Sequence, residues 1–200
     1  MKSLIKDIKV NVIDLPLKQQ WKIALYAAKT RAHAVVKIVT EDGIVGYGET
    51  SPSPAFMGET GYTVKLVIEK YLAPSLLGKN IFNINEIHEI MEAGIYGNYA
   101  AKSTIDIAIH DVVGKSLKVP VYNLLGGQCR QEIDLSWVVG IQDLESSVWE
   151  AKEKVDEGYK HLKLKVGQSP EKDYQLVKRI REEIGNDIPI RLDANQGYDL

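Results

Sequence analysis

Two stretches decide how this chain folds: Lys160-His161-Leu162-Lys163-Leu164-Lys165-Val166-Gly167 and Arg191-Leu192-Asp193-Ala194-Asn195-Gln196-Gly197. Each follows an amphipathic helical segment and reads as a short strand ending at a glycine-containing turn. Alternate side chains of a strand share a face, so Lys163 and Lys165 point one way and Leu162, Leu164 and Val166 the other. Arg191, Asp193 and Asn195 share a face by the same rule. If both strands belong to one parallel barrel, two ammonium groups and a carboxylate converge at the carboxyl ends of neighbouring strands, where barrel enzymes carry their chemistry. Taken singly, neither stretch is specific. Alternating lysines also protect an exposed sheet edge, and Asp, Asn and Gly suit any strand-to-turn junction. Their succession, helix then strand twice over with polar residues at equivalent strand ends, is the signature of a βα repeat with one active face.

Outward from these stretches, Ile133 to Val139 reads as a preceding strand and Leu144 to Glu157 as a helix with Val148, Ala151 and Val155 on one face. Lys160 to Val166 is the second strand. Pro170 to Ile184 is the second helix, Pro170 suiting its first turn and Tyr174, Val177, Ile180 and Ile184 facing inward. Ile188 to Asp193 is the third strand. The earlier part of the chain has a different pattern: strands over Ile5 to Asp14, Ala32 to Thr40 and Ile44 to Glu49, with Glu41-Asp42-Gly43 as a hairpin turn. Pro16 to Lys29 reads as a loop containing Trp21 and Tyr26. Helices follow at about Thr60 to Leu72, Asn83 to Glu92 and Tyr99 to Leu117, the last so apolar around its circumference that it is expected to be central and buried. Asp106, His110 and Asp111 on that helix read as structural, because one helix alone cannot converge them on a substrate. Pro120 and Gly126-Gly127 mark a boundary, giving an α+β domain over 1–127 and the start of a (β/α) barrel over 128–200.

The Lys163-x-Lys165 pair followed one βα unit later by Asp193-Ala194-Asn195 resembles the enolase superfamily, in its muconate-lactonizing-enzyme subgroup. The likeness extends through Gly97-Asn98, Ala101-Lys102, His110-Asp111 to Gly114, and Val119-Pro120-Val121-Tyr122 to Gly127. Ser51-Pro52-Ser53-Pro54 and Gly58-Glu59-Thr60 look most like the dipeptide epimerases, such as L-Ala-D/L-Glu epimerase. The resemblance implies an α+β capping domain followed by a TIM-like barrel, truncated here after its third strand, since closure needs about eight. It implies further carboxylate ligands and a second catalytic lysine beyond Leu200, so the 200-residue chain is expected to be incomplete and inactive by itself.

The implied reaction is abstraction of the proton α to a carboxylate. An enediolate is poorly stabilised by water, so a divalent cation must meet the developing charge. An oxygen ligand such as Asp193 favours a hard ion, Mg²⁺ or, as an alternative, Mn²⁺. A lysine base must be neutral, whereas lysine in water titrates near 10.4; a neighbouring ammonium and a metal both disfavour protonation. By resemblance, Lys165 is the proton acceptor, Lys163 contacts the substrate carboxylate and tunes its neighbour, Asp193 is the first metal ligand, and Asn195 supports it from behind. Two segments are implied to close over the barrel mouth and select substrate: the Pro16 to Lys29 loop with Trp21 and Tyr26, and Ser51 to Gly61 with Phe56 and Met57. The expected activity is dipeptide epimerisation. Muconate-type cycloisomerisation, o-succinylbenzoate synthase or N-acylamino acid racemase chemistry, and a noncatalytic scaffold are the alternatives.

A net charge of −2 with no basic cluster argues against nucleic acid as a partner. The single cysteine, Cys129, excludes an internal disulfide framework and fits a reducing cytoplasm. Met1 to Asp7 carries charge where a secretion signal needs an apolar core, and no stretch is apolar enough to span a bilayer. The expected partners are therefore a small-molecule carboxylate and, by resemblance, other copies of the same chain in a homo-oligomer.

Overall fold

A computed structural model describes residues 2–199. The chain divides into two compact units, Met1–Pro16 with Thr30–Cys129, and Leu17–Lys29 with Arg130–Leu200.

A three-stranded sheet runs in the order β1 (Ile5–Lys22), β2 (Ala27–Thr40), β3 (Val45–Thr50); its residues up to Pro16 and from Thr30 belong to the first unit, and the tip of the β1–β2 ribbon, Leu17–Lys29, to the second. β2 and β3 pair antiparallel about the turn at Glu41 to Gly43, with Gly43 at φ +84°. Helices α1 (Pro54–Met57) and α2 (Gly61–Val67) follow, α2 running through a π-helical turn at Ile68–Leu72 into α3 (Ala73–Leu76). Then come α4 (Ile84–Gly94), α5 (Tyr99–Leu117) and α6 (Val121–Leu124). As its composition predicts, α5 is central: Ala101, Ile105, Ala108, Ile109 and Val112 are fully buried. It approaches β3 closely because Gly46 and Gly48 present no Cβ; one at Gly48 would lie 2.0 Å from the Thr104 carbonyl oxygen. Asp111 ties α5 to β3, and His110 bonds within its own helix. Asp111 accepts from the Tyr47 N–H at 2.8 Å and from Lys115, while His110 Nδ1 meets the Asp106 carbonyl at 2.9 Å.

The region expected to be a loop from Pro16 to Lys29 is instead largely strand. β1 continues through Pro16 to Lys22, and β2 begins at Ala27, leaving a tight turn closed by the Ile23 N–H to the Tyr26 carbonyl at 3.0 Å. Pro16 is compatible with this because β1 lies at the edge of the sheet, with one side unpaired, where proline is tolerated.

In the second unit, β4 (Ser136–Val139), β5 (His161–Lys165) and β6 (Ile190–Asp193) form a parallel sheet in sequence order. The crossovers are α7 (Leu144–Asp156) and α8 (Pro170–Ile184). Asp143 caps α7 by accepting from the Ser146 N–H, and Ser169 caps α8 by accepting from the Lys172 N–H, with Pro170 in the first turn. Leu162, Leu164 and Val166 pack with Val148, Ala151, Leu176 and Ile180 into one core. Two expectations change here. Ile133 and Leu135 precede the first strand and are largely exposed. Tyr174 is also exposed, because the inward position of that helical turn belongs to Asp173, which aligns with Leu176 and Ile180 at helical spacing.

Candidate active site

The sheet register sets the geometry. In the parallel pairing of β5 with β6, Lys163 stands opposite Arg191 and Lys165 opposite Asp193. With the leucines of β5 committed to the helices, both lysines emerge on the other face. Their Nζ atoms each lie 2.7 Å from the same carboxylate oxygen, Asp193 Oδ2. Lys165 is the deeper of the two, 8% exposed. A buried ammonium is tolerable only beside such an acceptor, since desolvating an unpaired charge costs several kcal/mol or more.

Asp193 is held from its other side as well. Its Oδ1 accepts the Asn195 N–H at 3.0 Å. The chain then curls immediately after β6 through two consecutive non-glycine residues in the left-handed region, Asn195 at φ 49° and Gln196 at φ 61°, in a turn closed by the Gly197 N–H to the Ala194 carbonyl at 2.9 Å. Such backbone is strained by about 1–2 kcal/mol per residue and persists where surrounding structure dictates it. The two lysines, followed by the Asn195 amide, hold the Asp193 carboxyl well below the usual carboxylate range. The Asn195 side chain turns inward, its Oδ1 buried without a hydrogen-bond partner.

The turn between β1 and β2 meets this end of the sheet. The Ile141 N–H donates to the Lys22 carbonyl at 3.0 Å. Gly140, just after β4, lies against the Trp21 ring; Gly167 and Gly197, after β5 and β6, face Ala24. Each of the three carboxyl-terminal strand ends thus carries a glycine in contact with the ribbon tip. Trp21 and Tyr26 are half-buried in that ribbon. Phe56 and Met57 belong to the first unit, where they are exposed on α1.

Among the described residues no group of three His, Cys, Asp or Glu side chains converges as a metal site. Asp193 does suit one position of such a site. It is an anionic oxygen donor at a strand end, and its Oδ2 already gathers two cations within 2.7 Å. A hard divalent ion asks for that donor chemistry, with further oxygen ligands from elsewhere.

Residues 7–126 match the family described as the mandelate racemase / muconate lactonizing enzyme N-terminal domain, and residues 147–200 match the enolase C-terminal domain-like family. An N-succinyl-L-Arg/Lys racemase of Bacillus cereus is 38% identical over 97% of this chain and 53% of its own length. A chloromuconate cycloisomerase of Pseudomonas putida is 34% identical over 98% of the chain and 54% of its own. The crystal structure of a dipeptide epimerase from Enterococcus faecalis, complexed with Mg and the dipeptide L-Leu-L-Tyr, superposes with a TM-score of 0.93 at 41% identity, covering 99% of this chain and 55% of that one. The chain spans about half the length of the relatives it matches.

Proposed function

We propose, on the premise that this chain belongs to the mandelate racemase / muconate lactonizing enzyme family, that the full-length protein containing it removes the proton α to a carboxylate and returns one to the same carbon, epimerising a dipeptide. The observation that carries the reading is the convergence of Lys163 and Lys165 on one Asp193 oxygen at adjacent strand ends. Lys165, the deeper lysine, takes the α-proton at Nζ. Lys163, at 29% side-chain exposure, is the more accessible and binds the substrate carboxylate. Asp193 is one ligand of an Mg²⁺ site, with Mn²⁺ as an alternative, and the Asn195 amide fixes its orientation. When bound, the cation stabilises negative charge developing on the substrate carboxylate oxygens. Trp21 and Tyr26 line the approach from the ribbon; Phe56 and Met57 are assigned to substrate selection on the family resemblance.

These roles need a barrel around the three parallel strands, which the same family supplies. The reading also places the enzyme in the cytoplasm as a homo-oligomer acting on small molecules. Among the described residues no helix is long and apolar enough to cross a membrane.

Dipeptide epimerisation is favoured over cycloisomerisation by the higher identity to the Enterococcus faecalis epimerase, 41% against 34% for the Pseudomonas putida cycloisomerase. The test is incubation of the full-length, Mg²⁺-loaded protein in heavy water with dipeptides, N-succinyl amino acids and muconate. Deuterium at the α-carbon together with appearance of the dipeptide epimer supports the reading. Lactone formation from muconate without dipeptide exchange would replace it with cycloisomerisation. Exchange of none of these compounds would leave the scaffold role.

A further inference from the structure

Asp173 lies on α8, outside the set of residues assigned to the reaction, and is 5% exposed. Its Oδ2 accepts three hydrogen bonds: from the Gly167 N–H at 2.9 Å, the Gln168 N–H at 3.2 Å and the Tyr198 hydroxyl at 2.7 Å. Gly167 and Gln168 form the loop that leaves β5 two residues after Lys165. Tyr198 ends the turn that leaves β6 after Asp193. One buried carboxylate oxygen therefore ties together the two loops that follow the two reacting strand ends. The same loops present Gly167 and Gly197 to the ribbon tip at Ala24.

We infer that Asp173 is a positioning residue: a clamp that fixes the βα loops after β5 and β6 against each other, so that the base Lys165 and the metal ligand Asp193 keep a fixed spacing and the ribbon tip has a fixed seat. This rests on the reading of Lys165 as the base. The physical case is direct. Lys165 and Asp193 stand on different strands, and the last backbone bond between those strands is the Val166 N–H to the Asp193 carbonyl at 3.1 Å. Beyond it, among the described residues, no ladder bond joins the two strands; the turns at Gly167 and Gly197 lie against each other in backbone contact alone. Hydrogen bonds to an ionised acceptor are about twice as strong as neutral ones, and three on one oxygen restrain both loops from behind. The other oxygen, Oδ1, is buried and has no hydrogen-bond partner. An asparagine at this position can offer its carbonyl oxygen to the same three donors only as a neutral, weaker acceptor, and its N–H groups would then occupy the buried position where Oδ1 has no hydrogen-bond partner.

The experiment uses the full-length, Mg²⁺-loaded protein with Asp173→Asn and, separately, Tyr198→Phe, which removes one tie and preserves ring packing. Two readouts are taken: kcat and KM for solvent exchange of the substrate α-proton, and amide hydrogen exchange at Gly167 and Gln168. A clamp predicts amide exchange at those two positions at least tenfold faster in Asp173→Asn. It also predicts kcat lowered by about 10- to 100-fold, the penalty for misplacing reacting groups by about an ångström, with KM changed less than threefold. Tyr198→Phe is expected to lower kcat in the same direction by a smaller factor; if Asp173→Asn does not fold, this variant decides, and wild-type kcat in it overturns the proposal. In folded Asp173→Asn, a lower melting temperature with wild-type kcat would reduce Asp173 to a stabilising group and overturn the proposal. Unchanged amide exchange would likewise refute the clamp. If the wild-type protein itself exchanges no substrate, the reading of Lys165 fails and the positioning role falls with it, even where the amide data show the loops tied.

Discussion

Gly197→Ala tests the contact between the ribbon tip and the strand ends. A Cβ at Gly197 would lie 2.5 Å from the Ala24 Cβ, 2.8 Å from the Gly167 carbonyl oxygen and 2.9 Å from the Ala194 carbonyl oxygen. Ordinary contact begins near 3.4 Å, so Ala24 must retreat by about 0.9 Å and the two carbonyls by about half an ångström each. The Ala194 carbonyl cannot move freely because it accepts the Gly197 N–H at 2.9 Å. Ala24, in a hairpin turn, can. Overpacking of this kind costs about 1–3 kcal/mol, partly offset by about 0.4–1 kcal/mol of reduced unfolded-chain entropy. The expected net loss is about 1–2 kcal/mol by urea denaturation of the full-length protein, with the tip lifted from the strand ends and kcat/KM down about tenfold or more. Adding Ala24→Gly removes the Ala24 clash and leaves the two carbonyl clashes, so the double variant should recover roughly half of the lost stability. Stability within about 0.3 kcal/mol of wild type and unchanged kinetics in the single variant would refute the seating of the tip on this glycine.

Gly48→Ala should destabilise the first unit by about 3 kcal/mol or more in chemical denaturation, since its Cβ would fall 2.0 Å from a helix backbone oxygen and α5 would have to withdraw from β3; a loss under about 1 kcal/mol would contradict the packing. Tyr198 is held above the usual phenol range first by its hydrogen bond to Asp173. Because the folded value is raised, its contribution is complete below pH about 10 and is lost as pH rises through the folded value. The difference in 295 nm absorbance between wild type and Tyr198→Phe should therefore titrate above pH about 10, and a midpoint at or below it would mean the bond is not formed. Asp193→Asn in the full-length protein should weaken Mg²⁺ binding by about tenfold or more in calorimetry, and wild-type affinity would remove Asp193 from the ligand set.

The alternation in Leu162-Lys163-Leu164-Lys165 is enough to place both lysines on one face, because a strand has only two faces and the leucines need the helices. The spacing to Asp193 then follows from the parallel register. What the pattern does not reveal is polar residues in apolar positions. Asp173 holds an inward helical slot where an apolar search selects Tyr174, and the signal that finds it is its i, i+3, i+7 alignment with Leu176 and Ile180. The ribbon was obscured by Pro16, a strand breaker in the middle of a sheet but tolerated on an edge. Strand alternation continues past it through Leu15 and Leu17. The left-handed curl at Asn195 and Gln196 is legible only in part: asparagine adopts that region readily, glutamine does not, and the turn is closed by the Gly197 N–H to the Ala194 carbonyl.

The central claim, that Lys165 is a proton-transferring base, is tested most directly by Lys165→Ala in the full-length, Mg²⁺-loaded protein. Each substrate epimer is incubated separately in heavy water, and deuterium at the α-carbon is followed by mass spectrometry. The account predicts that the variant loses exchange of the epimer whose proton Lys165 removes, by about 10²-fold or more, while exchange of the opposite epimer by a base on the other side persists. Folded, metal-loaded Lys165→Ala that exchanges both epimers at the wild-type rate would contradict it.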